Sequence, residues 1–258
     1  MKSPLWYRQL DQAWDSLTKG ASKAWLADLE RCQAEKAVPI PSGDRLMEKF
    51  CVAIAHSQSA PSDVVLRMIK AGHLKEAMQD YSVAKLAAEN PAQLLRRCWK
   101  KPLTCIRFKG KIKSMVECAR ILRDIEAEHG SFAKYLRSFR VPRRIHSSAD
   151  IEVFWQAFDA LQQDLKRRKI PFFANTTSLL QLLIDLDHDA LKPDLIIMRV
   201  AHEWGIVPRE TGIPALRKAV RAFQEYGVIR KRRPLAVDWV VLTHGKQKGA
   251  LAIWEGSL

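Results

Sequence analysis

The sequence predicts an all-α protein in two lobes, and three observations carry that expectation. Apolar residues recur at helical spacing along most of the chain. No stretch alternates apolar and polar residues around a tight turn, as a β-hairpin would, and capping residues punctuate the periodic segments. With 258 residues, 47% of them apolar, the chain can fill one large domain or two small ones. The expected division is a helical extension over 1–43 that packs on the C-terminal part, a helical lobe over 44–190 and a C-terminal helical lobe over 191–258.

Helices are expected near 4–18 and 22–36. The Pro/Gly-rich turn "VPIPSGD" then opens a helix over Asp44–Ser57, with Ser42 or Asp44 as its cap. "PSDVVLRMIKAG" reads as a helix capped by Ser62, and "HLKEAMQDY" as a short one. Asn90 followed by Pro91 marks the start of the next. "KIKSMVECARILRDIEAEHG" is a long amphipathic helix stopped by Gly130. After it come "SFAKYLRSF", "SSADIEVFWQAFDALQQDLKRRK" with a serine cap, and "NTTSLLQLLIDLD". The last three helices are expected at 193–204, closed by Gly205, near 213–226, and in "VDWVVLTHGKQKG". Most of the eight tryptophans fall inside these helices, where they read as core.

Charge is the strongest bulk signal. Lys and Arg number 43 against 28 Asp and Glu, a net +15 with a pI near 9.8. A polyanionic partner follows, because neutralising phosphates releases condensed counterions. The cations are grouped in "RRCWKK", "RFKGKIK", "RSFRVPRR", "KRRK" and "RKRR". Nothing reads as a membrane span or a secretory leader, so the expected location is the cytoplasm. Five scattered cysteines, Cys32, Cys51, Cys98, Cys105 and Cys118, predict reduced thiols and no structural metal.

Three segments in order resemble the helix-hairpin-helix DNA glycosylase superfamily, the group that contains endonuclease III and 3-methyladenine DNA glycosylase I. "VAIAHSQSAPSDVVLRMI" is similar to that family's early helix, Ser-Gln loop and following helix. "CIRFKGKIKSMVECARILRDIEAEHGSFAKYLRSF" resembles its Arg, Gly-Lys-Ile and Ser-Phe segment. "IPFFANTTSLLQLLIDLDHDALKPDLIIMRVAHEWGI" resembles the hairpin and the helix of the catalytic aspartate. Setting "PFFANTTS" on the family's Pro-Gly-Val-Gly-Arg-Lys-Thr-Ala pattern puts Thr176 at the lysine of the bifunctional members. Asp194 then falls 194 − 176 = 18 residues on, the family's own spacing.

The resemblance implies a two-lobed fold with a DNA cleft and an activity, hydrolysis of the bond between base and sugar. Asp194 is then the catalytic carboxylate, stabilising positive charge on the sugar and orienting water. A base inside the stack is out of reach and must be rotated out, so Gln58 and Ser59 are the candidate wedge that fills the gap. Arg107, Lys109 and Lys111, with Asn175, Thr176 and Thr177 at a helix start, are the expected phosphate contacts. Trp6, Tyr7 and His56 are candidates for the base pocket. Threonine at 176 cannot form a Schiff base, which predicts a monofunctional enzyme.

Two departures qualify the resemblance. Phe172-Phe173-Ala174 stand where the family's Gly-Val-Gly lets backbone approach a phosphate, so a non-catalytic DNA-binding module is the alternative reading. The early helix offers Ala53, Ile54, Ala55 and His56 and no carboxylate, which argues against small alkylated purines as substrate and leaves oxidised, alkylated or hypermodified bases open. No cofactor is expected. "ALAIWEGSL" brings none of the cysteines of an iron–sulfur loop, and Cys32 lacks zinc partners. The partner expected is double-stranded DNA, bound by a monomer, with no membrane.

Overall fold

The computed structural model describes residues 4–247, and all regular structure among them is helical. The last two residues of "VDWVVLTHGKQKG", Trp254 and the "ALAIWEGSL" end lie outside the described residues. In chain order the helices are α1 (Leu5–Gly20), α2 (Lys23–Gln33), α3 (Gly43–His56), α4 (Ser62–Lys70), α5 (His73–Ala77), α6 (Val83–Ala88) and α7 (Pro91–Cys98). They continue as α8 (Gly110–His129), α9 (Phe132–Ser138), α10 (Ser148–Arg167), α11 (Thr176–Asp185), α12 (Leu195–Glu203), α13 (Ile213–Arg230) and α14 (Pro234–Gln247). Short 3-10 turns occupy Gln79–Tyr81 and Leu103–Ile106. No described helix is long and apolar enough to cross a membrane.

The chain forms two compact units, and their boundaries differ from the expected division. A terminal unit contains Met1–Val38, Pro142–Gln156 and Thr176–Leu258; an inserted unit contains Pro39–Val141 and Ala157–Asn175. Residues 142–156 and 176–190, expected with the central lobe, therefore belong with the termini. Hydrogen bonds give the reason. Ile145 N donates to the Asp189 carboxylate at 3.0 Å, Asp189 N donates to the Arg143 carbonyl at 3.1 Å, and Trp155 Nε1 donates to Gln224 on α13 at 3.0 Å.

In the inserted unit α3, α6, α7 and α9 pack around α8. That helix can be central because it buries residues on more than one stripe, including Ile112, Met115, Val116, Cys118, Ala119, Leu122 and Ile125. Gly130, with φ +78°, ends it in the left-handed conformation that glycine adopts at least cost. In the terminal unit α1, α2, α12 and α13 pack on α14. Gly245 permits the closest of these contacts: a Cβ there would stand 2.4 Å from Ile196 Cγ2 and 3.0 Å from Val200 Cγ2, so the absent side chain seats α12.

Caps separate what the sequence shows from what tertiary contacts decide. Asn90 caps α7 as expected, its Oδ1 accepting from Ala92 N at 2.9 Å and Gln93 N at 3.2 Å. Ser147 caps α10, accepting from Asp150 N while the Asp150 carboxylate accepts from Ser147 N, a reciprocal box. Ser62 is not a cap: Pro61 takes the N-cap position, and Ser62 becomes the first helical residue. Ser42 holds the N-cap position of α3 without a side-chain bond, because Glu126 of α8 accepts from Gly43 N at 2.8 Å. Asp44 instead reaches the start of α6, a helix that the sequence reading missed, and accepts from Val83 N at 2.8 Å.

Candidate functional site

The inserted unit presents Gln58 and Ser59 on an exposed turn directly after α3. Both are left-handed, with φ +53° and +57°, and Ala60 N donates to the Ser57 carbonyl at 3.3 Å to close the turn. Two successive left-handed residues that carry a Cβ are costly, and they persist only where neighbours fix them. His56 ends α3, half-buried beside the turn.

Lys111 overturns its expected role. Arg107 and Lys109 are exposed, but the Lys111 side chain is 4% exposed and points inward. Its Nζ donates to the Ser57 carbonyl at 2.6 Å and the Ala55 carbonyl at 3.1 Å, the two that flank the end of α3. Burial, with the nearby Arg107 guanidinium adding to it, lowers its ammonium to about 8. Sequence carried a signal for this. Lys111, Met115, Cys118, Leu122 and Ile125 form one helical stripe, so the lysine stands on the buried face of α8.

The loop between α10 and α11 turns without a glycine. Phe172 adopts φ +67°, the left-handed conformation a glycine would supply, while Phe173 is fully buried with its ring centroid 4.5 Å from that of Phe50. Burying Phe173 offsets the cost of the strained neighbour. Gln162 Nε2 donates to the Ala174 carbonyl at 3.1 Å, which fixes the turn from α10. Asn175 is exposed directly before α11, Thr177 is half-buried, and Thr176 is 8% exposed at the first helical position.

In the terminal unit Asp194 is the N-cap of α12 and half-buried. Its Oδ1 accepts from both Ile196 N and Ile197 N at 3.0 Å, and among the described residues Oδ2 has no protein partner. The apolar residues that anchor α12 are Ile197, Met198, Val200 and Ala201, whereas Leu195, which the sequence suggests as packing, is 57% exposed. Asp238 on α14 accepts from Lys192 N at 2.9 Å, tying down the backbone two residues before Asp194. Burial pushes the Asp238 carboxyl up to about 7, and the Asp194 carboxylate adds to that shift.

The aromatic residues expected at a base pocket pack within the terminal unit. Tyr7 is 4% exposed, with its ring 5.2 Å from Tyr226 and 4.3 Å from Trp6, which is itself half-buried and also meets Phe223. Tyr7 is thus a core residue. A cavity of about 310 Å³ in the same unit is lined by Gln9, Gln12, Ser16, Trp204, His244 and Gln247, among others. Trp204 follows the last residue of α12, so this cavity lies at the opposite end of that helix from Asp194.

A model of the methyladenine glycosylase family matches residues 34–182, more than half of the chain. The chain belongs to the methyladenine glycosylase family. As such it is a member of the helix-hairpin-helix glycosylase superfamily, a DNA-binding protein whose general activity is that of a DNA N-glycosylase. The part that marks this glycosylase as a family member holds the Gln58 turn, Arg107 to Lys111, the hairpin and Thr176, and it ends before Asp194. No curated protein and no solved structure matches the chain.

Proposed function

We propose that this glycosylase is monofunctional: it extrudes a damaged or modified base from duplex DNA, hydrolyses the N-glycosidic bond and leaves an abasic site. Asp194 carries the reading. One carboxylate oxygen is locked by two helix amides, which fixes the direction of the other, and a fixed acceptor can meet the positive charge that develops on the sugar and orient the attacking water. Thr176 offers a hydroxyl where strand cleavage would need an amine, so the chain would stop at the abasic site. Gln58 and Ser59 would fill the vacated stack, and the hairpin amides with Asn175, Thr177, Arg107 and Lys109 would hold phosphates. The protein would act as a monomer. This reading assigns the wedge to the inserted unit and the chemistry to the terminal one.

The substrate follows from an absence of charge. No carboxylate stands among Ala53, Ile54, Ala55 and His56 before the turn, which disfavours a small cationic alkylpurine. That leaves oxidised, alkylated or hypermodified bases, the decorated cytosines of some phage genomes included, and acting on those cytosines would be antiviral defence instead of repair. Mass spectrometry of bases released from mixed cellular and phage DNA identifies the substrate.

Duplex DNA rich in modified bases, incubated with the protein, should break only after hot alkali. Asp194→Asn should lower that yield by about 10²–10³-fold, the scale of removing one preorganised electrostatic group, and equal yields from variant and parent would sink the mechanism. One observation favours a second reading, a non-catalytic DNA-binding module: the family match stops short of Asp194, whose capping bonds suffice to explain a carboxylate there. That reading predicts tight, salt-sensitive binding with no abasic sites on any substrate.

A further inference from the structure

We infer that Lys111 is a positioning residue that holds the Gln58–Ser59 turn in the shape a DNA wedge needs, acting through the Ala55 and Ser57 carbonyls. The inference rests on the wedge reading above. The geometry is unusual for a lysine. Its ammonium is buried, no carboxylate lies within salt-bridge reach among the described residues, and both of its hydrogen bonds go to backbone carbonyls at one helix end. A cation at that end also meets the negative pole of the α3 dipole, which keeps the charge tolerable without a counterion. The Phe108 ring, 5.9 Å from Nζ, covers it on another side.

The turn supplies the reason for such a clamp. Gln58 and Ser59 both sit in a conformation that L-residues avoid, and left to itself the segment would relax into ordinary turn or extended geometry. The bond to the Ser57 carbonyl fixes the peptide that enters the turn, and the bond to Ala55 fixes the last turn of the helix before it. A turn held before DNA arrives inserts without the entropy cost of ordering it in the complex. The clamp is also sensitive to alkali, since burial and Arg107 both ease loss of the Lys111 proton. The other ionisable groups around it are Cys105 on the preceding 3-10 turn, whose thiol burial pushes up, and His56 on α3.

A duplex oligonucleotide carrying a tetrahydrofuran abasic analogue beside 2-aminopurine tests this without knowledge of the natural base. Wedge insertion unstacks the reporter and changes its fluorescence. Gln58→Ala should remove most of the amplitude by taking away the inserting side chain, and Lys111→Met should reduce it about tenfold, the scale of a lost charge-assisted hydrogen bond. Adding Ser59→Gly to Lys111→Met should restore much of it, because glycine relieves the strain that the clamp resists, whereas adding it to Gln58→Ala should not. Full amplitude in Gln58→Ala would remove the wedge reading and this inference with it. Loss in Gln58→Ala with full amplitude in Lys111→Met overturns the clamp alone, and so does a Lys111→Met loss that Ser59→Gly leaves untouched. Should Lys111→Met not fold, the unaltered protein decides. Its amplitude should fall as pH rises past about 8, and a flat profile up to about pH 10, near the ordinary lysine value, refutes the clamp.

Discussion

Two basic segments that look alike in the sequence face opposite ways in the fold. In Arg230–Arg233 the three arginines turn inward while Lys231 stays exposed: Arg230 Nη2 donates to Asp11 Oδ2 at 2.6 Å, the Arg232 guanidinium lies 3.9 Å from the centre of the Trp14 ring, and Arg233 is 4% exposed. Arg233 pairs with Asp189 at 2.8 Å and Asp187 at 3.0 Å and also donates to the Ala34 carbonyl. In Arg107–Lys113 the exposed cations Arg107, Lys109 and Lys113 make no ion pair among the described residues, and only Lys111 turns inward. A basic run therefore becomes a surface for polyanions only where no distant carboxylate claims it. The claimants of Arg230–Arg233 lie up to 219 residues away, beyond the reach of local pattern.

The largest effect expected from breaking this contrast is at Arg233. Arg233→Ala leaves the buried Asp189 without its ion-pair partner, while Asp187 keeps Arg143 and Arg144, and should cost about 3–5 kcal/mol of stability, read from urea denaturation; a loss below about 1 kcal/mol would show the pair to be incidental. Asp238 sharpens the contrast from the carboxylate side, since it is held in the terminal unit by a backbone amide and makes no ion pair among the described residues. Its carboxyl is raised to about 7, so below that pH the folded chain keeps a proton that the unfolded chain releases above about 4. Stability should fall as pH rises through that window and level off above it. Asp238→Asn, which keeps the acceptor, should flatten this part of the profile, and an unchanged slope would assign it elsewhere. The smallest effect is expected at the outward cluster: Arg107→Ala and Lys109→Ala should leave stability within about 0.5 kcal/mol. Each should lower the slope of log affinity against log salt by about 1, and a double variant with the parent slope would remove this segment from the DNA contact.

How far the sequence could be read depends on how local the deciding interaction is. Asn90-Pro91, Ser147 with Asp150, and Gly130 act within a few residues, and each works as its motif suggests. Ser42 and Asp44 do not, because Glu126, 83 residues beyond Gly43, accepts from the Gly43 amide and Val83, 39 residues beyond Asp44, donates to the Asp44 carboxylate. The hairpin lay between these cases. Loss of glycine argued against close approach of a phosphate, yet Phe172 has a left-handed φ beside Phe173, which is locked in the core. Asp194 caps α12 through local bonds, as a Pro-Asp ahead of an apolar run suggests, whereas the seating of that helix depends on the distant Gly245 admitting Ile196.

The interleaving of the units imposes an order on synthesis. All of the inserted unit has been made once residue 175 is added, whereas α1 and α2 wait for α14. The bond from Arg233 N to Gln33 spans 200 residues, which at ribosomal speed is a delay of roughly 10–40 s. Throughout that interval Leu10, Trp14 and Leu17 of α1 lack the surface that later buries them. The nascent terminal unit thus keeps apolar surface uncovered until its last helices are made, and slowing elongation after residue 175 should lower the yield of active enzyme more than slowing it earlier in the gene.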